Sequence, residues 1–242
     1  MINNPMAISD HFNEVKSRII KILVVFAIAF STCYFFKENI FNLLASPLTH
    51  ILADGQGFIF THLAEAFFVY LKLALWAALF ITVPFALIQL YLFVAPGLYK
   101  NEKQFIIPLT VFSVILFYTG ISFVYFYLMP TAWNFFLSFA QSGITLQAKI
   151  SEYFSFTLQL MLAFGLAFQL PILLLILAKV GLITGTMLQK GRKFAILIIA
   201  VASALLTPPD IISQIALIIP LYTLYELTIL LLKVNKKDKL KK

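Results

Sequence analysis

The chain has 242 residues, of which 62% are hydrophobic and only 12% are charged. A soluble domain carries roughly a quarter charged residues, so no soluble core could bury this many apolar side chains. Uncharged runs at 73–99, 104–148 and 153–178 are each long enough to cross ~30 Å of hydrocarbon. The period-two alternation of membrane β-strands is absent. The composition therefore predicts an all-α integral membrane protein.

The chain opens with a polar lead, residues 1–18, in which an amphipathic helix is predicted to lie at the membrane surface and run into the first span. Residues 38–68 are too polar to cross a membrane and too apolar to form a free loop. Short surface helices are predicted there, broken at Pro47 and at the glycines of 55–57.

Six membrane spans are predicted, and prolines or amides interrupt several of them. Pro84 lies within the second span, where a proline removes one backbone hydrogen bond and kinks the helix. A second excursion, residues 129–152, begins at Pro130, and Gln169 lies inside the fourth span. The predicted spans are about 19–37, 69–94, 105–128, 153–178, 194–207 and 212–232, followed by a basic tail at 233–242.

The last two spans are predicted to be short. The fifth apolar run, Phe194–Leu206, has 13 residues before the Pro208-Pro209 turn. At 1.5 Å per residue such a helix reaches only ~20 Å, less than an ordinary bilayer requires. The fifth span is therefore expected to thin the membrane, to recruit partner helices or to lie inside an assembly.

The basic residues set the predicted orientation. With a cytoplasmic N-terminus, only Lys37, Lys72 and Lys149 of the 18 lysines and arginines fall on the outer side. The positive-inside rule therefore places both termini in the cytoplasm, and the chain is predicted to form a single membrane domain, residues 1–242. Because the basic residues follow the spans, topology rather than nucleic-acid binding explains the sequence pI near 9.5.

The reactive groups that an enzyme needs are missing from the sequence. The three histidines, His11, His50 and His62, lie outside the spans, which argues against histidine-ligated haem. No H-E-x-x-H pattern, cysteine pair or P-loop is found, and the single Cys33 is interpreted as a small packing residue. The sequence predicts no enzyme activity, no metal site and no cofactor.

The connection between the second and third spans, Phe93–Phe105, combines polar residues with Pro96 and Gly97. Its Glu102 stands between Lys100 and Lys103. The loop is either a simple turn at the membrane surface or a docking site. The predicted topology places it on the cytoplasmic face, together with the N-terminal lead.

This loop carries the pattern F-x-A-P-x-L-Y-x-x-E, which resembles the signature of the TatC family, the multi-spanning subunit of the twin-arginine translocase. Further segments match that family in order along nearly the whole chain. They are Asp10–Arg18, Ser46-Pro47-Leu48, Phe117-Tyr118-x-Gly120, Phe126-x-x-x-Pro130, Phe164-Gly165-x-x-Phe168-x-x-Pro171 and Leu206–Asp210 with Ser213-Gln214.

The resemblance implies a receptor for the twin-arginine signal peptides of folded cargo, coupled to the proton-motive force. The implied partners are single-span subunits of the TatA and TatB type, further copies of the chain and the lipid bilayer, with no nucleic acid. By position, the implied signal-peptide site comprises Glu14, Lys16, Phe93, Pro96, Leu98, Tyr99 and Glu102. The implied partner-subunit or coupling positions are Pro47, Pro84, Gln169, Asp210 and Gln214.

The chain departs from the family pattern at two positions. Gln169 stands where a glutamate is frequent, so a protonatable group at that depth is missing. Lys16 stands where arginine is common, which keeps the charge and loses the planar fork. Local alternatives also stay open: Glu102 as a solvated loop carboxylate, Glu14 as a charge favouring the positive end of a helix, and Asp210 as a helix cap.

Two other functional classes compete with a receptor. Glu226 and the amides within the spans are compatible with a proton-coupled or passive solute transporter, although Glu226 can also reach the membrane surface. A structural subunit of a respiratory complex is the third class. A bacterial inner membrane is the expected location, with an organellar inner or thylakoid membrane as the alternative.

Overall fold

A computed structural model describes residues 8–51, 57–94, 106–138, 148–206 and 211–239. The helices are α1 (Ile8–Phe35), α2 (Lys37–Thr49), α3 (Glu65–Val94), α4 (Ile106–Phe123), α5 (Met129–Leu137), α6 (Ile150–Ala167), α7 (Leu170–Lys179), α8 (Gly185–Lys190), α9 (Arg192–Leu206) and α10 (Ile211–Lys239). A π-helical segment, Val124–Leu128, links α4 to α5, and two short strands are β1 (Phe58–Ile59) and β2 (Ala148–Lys149).

Five helical segments in the described part of the chain are long and apolar enough to cross a membrane. They are Phe12–Phe35, Glu65–Phe93, Ile107–Leu137, Ile150–Lys179 and Gln214–Lys233. The prediction of a helical membrane protein is thereby confirmed. α9 has 15 residues, in line with the expected short fifth span, so the count of six spans stays a prediction.

The chain divides into two compact units. The first consists of residues 1–43 and 62–114, and the second of residues 44–61 and 115–242. The expectation of one single domain therefore stays a prediction.

In the first unit, α1 packs along α3 through small side chains. Cys33 is buried against Ala74 and Ala78, and these residues let the two backbones approach closely. The role predicted for Cys33, a small packing residue, matches this position. At the other end of α3, Tyr91 and Ser113 share a 2.9 Å hydrogen bond between α3 and α4.

In the second unit, two glycines bring α4 and α6 together. A Cβ added to Gly120 would lie 2.7 Å from the main-chain oxygen of Phe164. A Cβ added to Gly165 would lie 2.7 Å from the ring of Phe117. Because lipid supplies little hydrophobic drive for helix association, close packing of this kind holds membrane helices together.

Side-chain hydrogen bonds fasten α2 and the short strands within the second unit. Tyr153 on α6 donates to the main-chain oxygen of Leu44 at 2.7 Å, and Tyr125 shares a 2.9 Å bond with Ser46. β1 and β2 pair in parallel, and the ring of Phe58 packs on that of Tyr153. The strand pair was not predicted, because neither two-residue segment carries a strand pattern.

The third membrane segment is longer than predicted, and the expected break at Pro130 is wrong. The π-helical turn continues α4 into α5, where Pro130 occupies the first turn. Because the segment is continuous, Pro130 lacks one backbone hydrogen bond without ending the helix. The Met129 N–H reaches back to the Val124 oxygen, so the wider turn absorbs the change. α5 ends at Leu137, and most of the predicted excursion beyond it, residues 139–147, lies outside the described residues.

Other predicted boundaries also shift. α2 continues through Pro47 to Thr49, because a proline in the last turn removes only one bond. The fourth segment breaks at Phe168 and Gln169, just before Pro171 at the start of α7. The sixth span is not short, because its apolar segment, Gln214–Lys233, has 20 residues, and α10 as a whole continues to Lys239 within the predicted tail.

Candidate functional site

The described candidate site begins on α1. Glu14 and Arg18 lie four residues apart, on one face of the helix, where such pairs meet. Arg18 donates from Nη2 to Glu14 Oε1 at 2.6 Å and from Nε to the same oxygen at 3.1 Å. The side chains are 20% exposed for Arg18 and 27% for Glu14. This is a partly buried, charge-assisted contact rather than a solvated surface pair.

A second helix completes this group. Gln89 on α3 accepts from Arg18 Nη1 at its side-chain Oε1, 3.1 Å away, and at its main-chain oxygen, 3.4 Å away. Gln89 is 9% exposed, so its amide would lack a partner without this contact. We call Glu14, Arg18 and Gln89 the N-terminal polar cluster.

Two further predicted site residues lie near this cluster in sequence. Phe93 stands one turn after Gln89 on α3 and is half-buried, and Lys16 on α1 is exposed. Residues two apart on a helix point away from each other, so Lys16 does not share the face of Glu14. The structure therefore places Glu14 and Phe93 on neighbouring helices of the first unit.

The remaining predicted signal-peptide residues, Pro96, Leu98, Tyr99 and Glu102, lie outside the described residues, as does Asp210. Their places in the site stay predictions. The helices on both sides of the loop are described, and the Tyr91–Ser113 bond ties α3 to α4.

The sequence reasoning missed Arg18 and Gln89 as parts of the site. Arg18 was recognised only as the last residue of the matching N-terminal segment, and Gln89 was only one of the amides within the predicted spans. Their contact joins residues 71 positions apart, which local spacing cannot reveal. The available signal was the spacing of four between Glu14 and Arg18.

The second unit contains another arginine–carboxylate group. Arg192 grips Glu226 with Nε on Oε1 and Nη2 on Oε2, both at 2.7 Å, and Tyr222 donates to Oε1 at 2.9 Å. We call Arg192, Tyr222 and Glu226 the C-terminal polar cluster. Its geometry weakens the transporter alternative, because a doubly bonded carboxylate is poorly placed to carry protons.

The predicted partner and coupling positions are spread over both units. Pro84 is half-buried inside α3, whereas Pro47 is buried in the last turn of α2. Gln169 occupies the residue before α7, at the break in the fourth segment. Gln214 on α10 donates to the Ala200 oxygen of α9 at 3.5 Å. The two prolines thus lie inside helices, Gln169 lies at a helix break and Gln214 joins two helices. Their contact with a partner stays a prediction.

No group of three or more histidine, cysteine or acidic side chains able to hold a metal ion occurs within the described ranges. Among the described residues, arginine meets a carboxylate in the two polar clusters, on α1 and between α9 and α10. Carboxylates of this kind can bind cationic side chains through charge-assisted hydrogen bonds.

Comparison with known proteins gives a consistent result. Residues 10–220 match the family model of TatC, the Sec-independent protein translocase protein. A protein of that description from Rickettsia prowazekii is 42% identical, over 92% of this chain and 90% of the relative. The one from Desulforapulum autotrophicum is 39% identical, over 96% and 86%. The one from Escherichia coli K12 is 33% identical, over 93% and 88%.

A solved structure agrees with the sequence relatives. A crystal structure of a protein described as the twin-arginine translocase receptor TatC superposes with a TM-score of 0.80 and 35% sequence identity. The match covers 93% of this chain and 98% of the other.

Proposed function

Because the chain belongs to the TatC family of Sec-independent protein translocase proteins, we propose that it is the subunit that binds twin-arginine signal peptides of folded proteins. Family membership makes the chain a component of a protein translocase rather than an enzyme. Its bacterial relatives and five apolar helices identify it as a multi-pass bacterial membrane protein.

The observation that carries the proposal is the partly buried Glu14 carboxylate of the N-terminal polar cluster. It already accepts two N–H groups from a guanidinium, so its surroundings accommodate the chemical group that a twin-arginine signal presents. Carboxylates and guanidiniums form strong, charge-assisted hydrogen bonds. The solved relative described as a twin-arginine translocase receptor supports the same reading.

We propose that Glu102 supplies the second carboxylate, so that two acidic groups receive two arginines. Lys16, Phe93, Pro96, Leu98 and Tyr99 would shape the surroundings of these carboxylates. An exposed ion pair contributes only ~0–1 kcal/mol. The apolar stretch of the signal peptide must therefore supply much of the affinity by packing on apolar helix surfaces.

For the membrane arrangement, we propose six spans with both termini in the cytoplasm, α9 being the fifth span. The 15 residues of α9 would reach ~22 Å, less than the bilayer requires. Its exposed apolar side chains, such as Phe194, Leu197 and Leu205, would meet lipid or the helix of a TatA- or TatB-type partner. Gln214 would lie on the same surface, facing the partner helix.

The remaining positions are assigned to coupling. We propose that Pro47, Pro84, Gln169 and Asp210 hold bends and turns that assembly with the partner subunits requires. The proton-motive force would drive transport after assembly. Gln169 cannot be protonated at physiological pH, so in this chain the proton step would not run through that position.

Crosslinking tests the receptor proposal. Photoreactive probes at Ser17 and Asn101, which leave the Glu14 and Glu102 carboxylates in place, should capture a synthetic twin-arginine signal peptide. Replacing the Arg-Arg of the peptide by Lys-Lys should weaken capture strongly. A probe at Glu152, an exposed carboxylate of the second unit, serves as the control position. Equal capture of both peptides at position 17 would count against signal recognition.

A further inference from the structure

The N-terminal polar cluster uses every nitrogen of one guanidinium. Nε and Nη2 of Arg18 both donate to Glu14 Oε1, while Nη1 donates to the two oxygens of Gln89. Arg18 thus connects the Glu14 carboxylate on α1 to a nearly buried residue of α3. A side chain tied at three nitrogens has few alternative rotamers, so the carboxylate that it holds is fixed as well.

The two oxygens of Glu14 are used unequally. Within the described part of the chain, both bonds from Arg18 end on Oε1, and no described side chain donates to Oε2. A guanidinium that only neutralised Glu14 would bond both oxygens in a fork, as Arg192 does with Glu226. Arg18 instead bonds one oxygen of Glu14 with Nε and Nη2, and its Nη1 bonds Gln89 on α3.

From this geometry we infer that Arg18, anchored on Gln89, is a positioning residue that orients Glu14 so that Oε2 receives a signal-peptide arginine. The inference rests on the proposed function. It gives a physical reason why the proposed site would prefer an arginine of the signal peptide to a lysine. A carboxylate held in one orientation binds most tightly a donor that meets it at the right distance and angle, as the planar guanidinium of arginine does. A mobile carboxylate would follow any cation, lysine included.

A competing role for Arg18 makes the opposite prediction. If Arg18 merely occupied Glu14 until a signal displaced it, removing that competitor would tighten the binding of Arg-Arg and Lys-Lys peptides by the same factor. The ratio of the two dissociation constants would then stay unchanged. A positioning role lowers that ratio. The ratio therefore separates the two roles, whereas either affinity alone would not.

The experiment uses the full chain in lipid nanodiscs and two fluorescent synthetic signal peptides that differ only in Arg-Arg or Lys-Lys. Arg18→Lys keeps the charge and loses the fork that joins Glu14 to Gln89. We expect the ratio of the Lys-Lys to the Arg-Arg dissociation constant to fall roughly twofold to tenfold, the effect of no longer fixing one flexible side chain in advance. Lys21→Arg, an equally conservative change one turn along α1 at an exposed residue, should leave the ratio unchanged.

A second variant keeps the test decisive if Arg18→Lys fails to fold. Gln89→Met keeps a similar volume and leaves the Arg18–Glu14 pair in place, but removes the side-chain anchor, so it should lower the ratio in the same direction. An unchanged ratio in both folded variants would overturn the positioning role, even if both peptides bound more tightly. Failure of the unaltered protein to prefer Arg-Arg would overturn the receptor proposal itself, and the inference with it.

Discussion

The two arginine–carboxylate clusters use similar groups in different ways. In the C-terminal polar cluster, Arg192 bonds both oxygens of Glu226, and Tyr222 adds a third bond. In the N-terminal polar cluster, Arg18 bonds one oxygen of Glu14 and reaches a second helix with the rest of its fork. Both clusters join helices, but Arg192 and Tyr222 occupy both oxygens of Glu226, whereas Arg18 occupies only one oxygen of Glu14. Under the proposed function, the other oxygen of Glu14 receives a signal-peptide arginine.

Burial and charge do not distinguish the two carboxylates. Glu226 is 28% exposed and Glu14 is 27% exposed, so accessibility does not separate them. The distribution of hydrogen bonds over the two oxygens does differ, and we propose that this difference marks Glu14 as the carboxylate that receives a further donor. Of the four predictions below, beginning with the largest expected effect, the changes within the clusters test this distinction directly. The changes to α9 and to the α4–α6 contact test features of the second unit outside the two carboxylates.

Lengthening α9 should separate transport from recognition. Four leucines inserted after Ile198 add about one helical turn, ~6 Å, and bring the helix closer to bilayer thickness. We expect export of a folded twin-arginine reporter to be lost while the binding of the signal peptide to the N-terminal polar cluster is kept. Export into the periplasm and peptide binding in nanodiscs measure the two effects.

The control for this insertion replaces four residues of α9 by leucine without changing its length. Normal export by the lengthened chain would show that the short helix is not needed for transport.

Neutralising each carboxylate should distinguish the two clusters directly. Glu14→Gln removes a charged acceptor from the proposed site, and we expect the Arg-Arg peptide to bind about tenfold more weakly. Glu226→Gln, a matched change in the C-terminal polar cluster, should alter that affinity less than twofold. Fluorescence anisotropy with a labelled peptide gives both values. Equal losses in the two variants would erase the distinction drawn between the clusters.

Crowding the α4–α6 contact should destabilise the second unit without involving either cluster. The added methyl of Gly120→Ala would meet the main-chain oxygen of Phe164, which cannot rotate away. We expect the free energy of unfolding to fall by about 1–3 kcal/mol, measured by titration with sodium dodecyl sulfate. Gly57→Ala is the control, because nothing lies within 4 Å of the added atom there. Similar losses in both variants would contradict the role given to this contact.

Exchanging the partners of the C-terminal polar cluster should give the smallest effect. Arg192→Glu or Glu226→Arg alone places like charges side by side, and each should lower the thermal unfolding midpoint slightly. The double exchange should recover part of the loss, because opposite charges meet again. Arg192 is 45% exposed, so solvent limits the size of both changes. A double variant less stable than either single variant would mean that the pair does not join its helices.

The sequence predicted the helical membrane class and the approximate positions of the apolar spans, because long uncharged runs have few other solutions. It also predicted a signal-peptide role for Glu14 through a family resemblance that local spacing alone would not supply, and that role stays a prediction. It failed at Pro130, since a proline usually ends a helix and the π-helical turn before it left no recognisable pattern. The break at Phe168 and Gln169 was likewise hidden inside a continuous apolar run.

The partners of Glu14 were harder to predict for a different reason. The contact between Arg18 and Gln89 depends on how α1 and α3 pack, and that packing follows from small residues such as Cys33, Ala74 and Ala78 far along the helices. The sequence pattern of one helix does not show which helix packs against it. The sequence could therefore suggest the carboxylate, while its orientation required coordinates.

The two close glycine contacts impose unequal limits on how this sequence can drift. Gly165 faces the ring of Phe117, a side chain that a second mutation could shorten, so positions 117 and 165 can change together. Gly120 faces the main chain of Phe164, which every amino acid shares. No substitution at another position can shorten that main-chain group. Position 120 is therefore expected to remain glycine, whereas position 165 can change if position 117 changes with it. Sequence variation among descendants of this chain should show this difference.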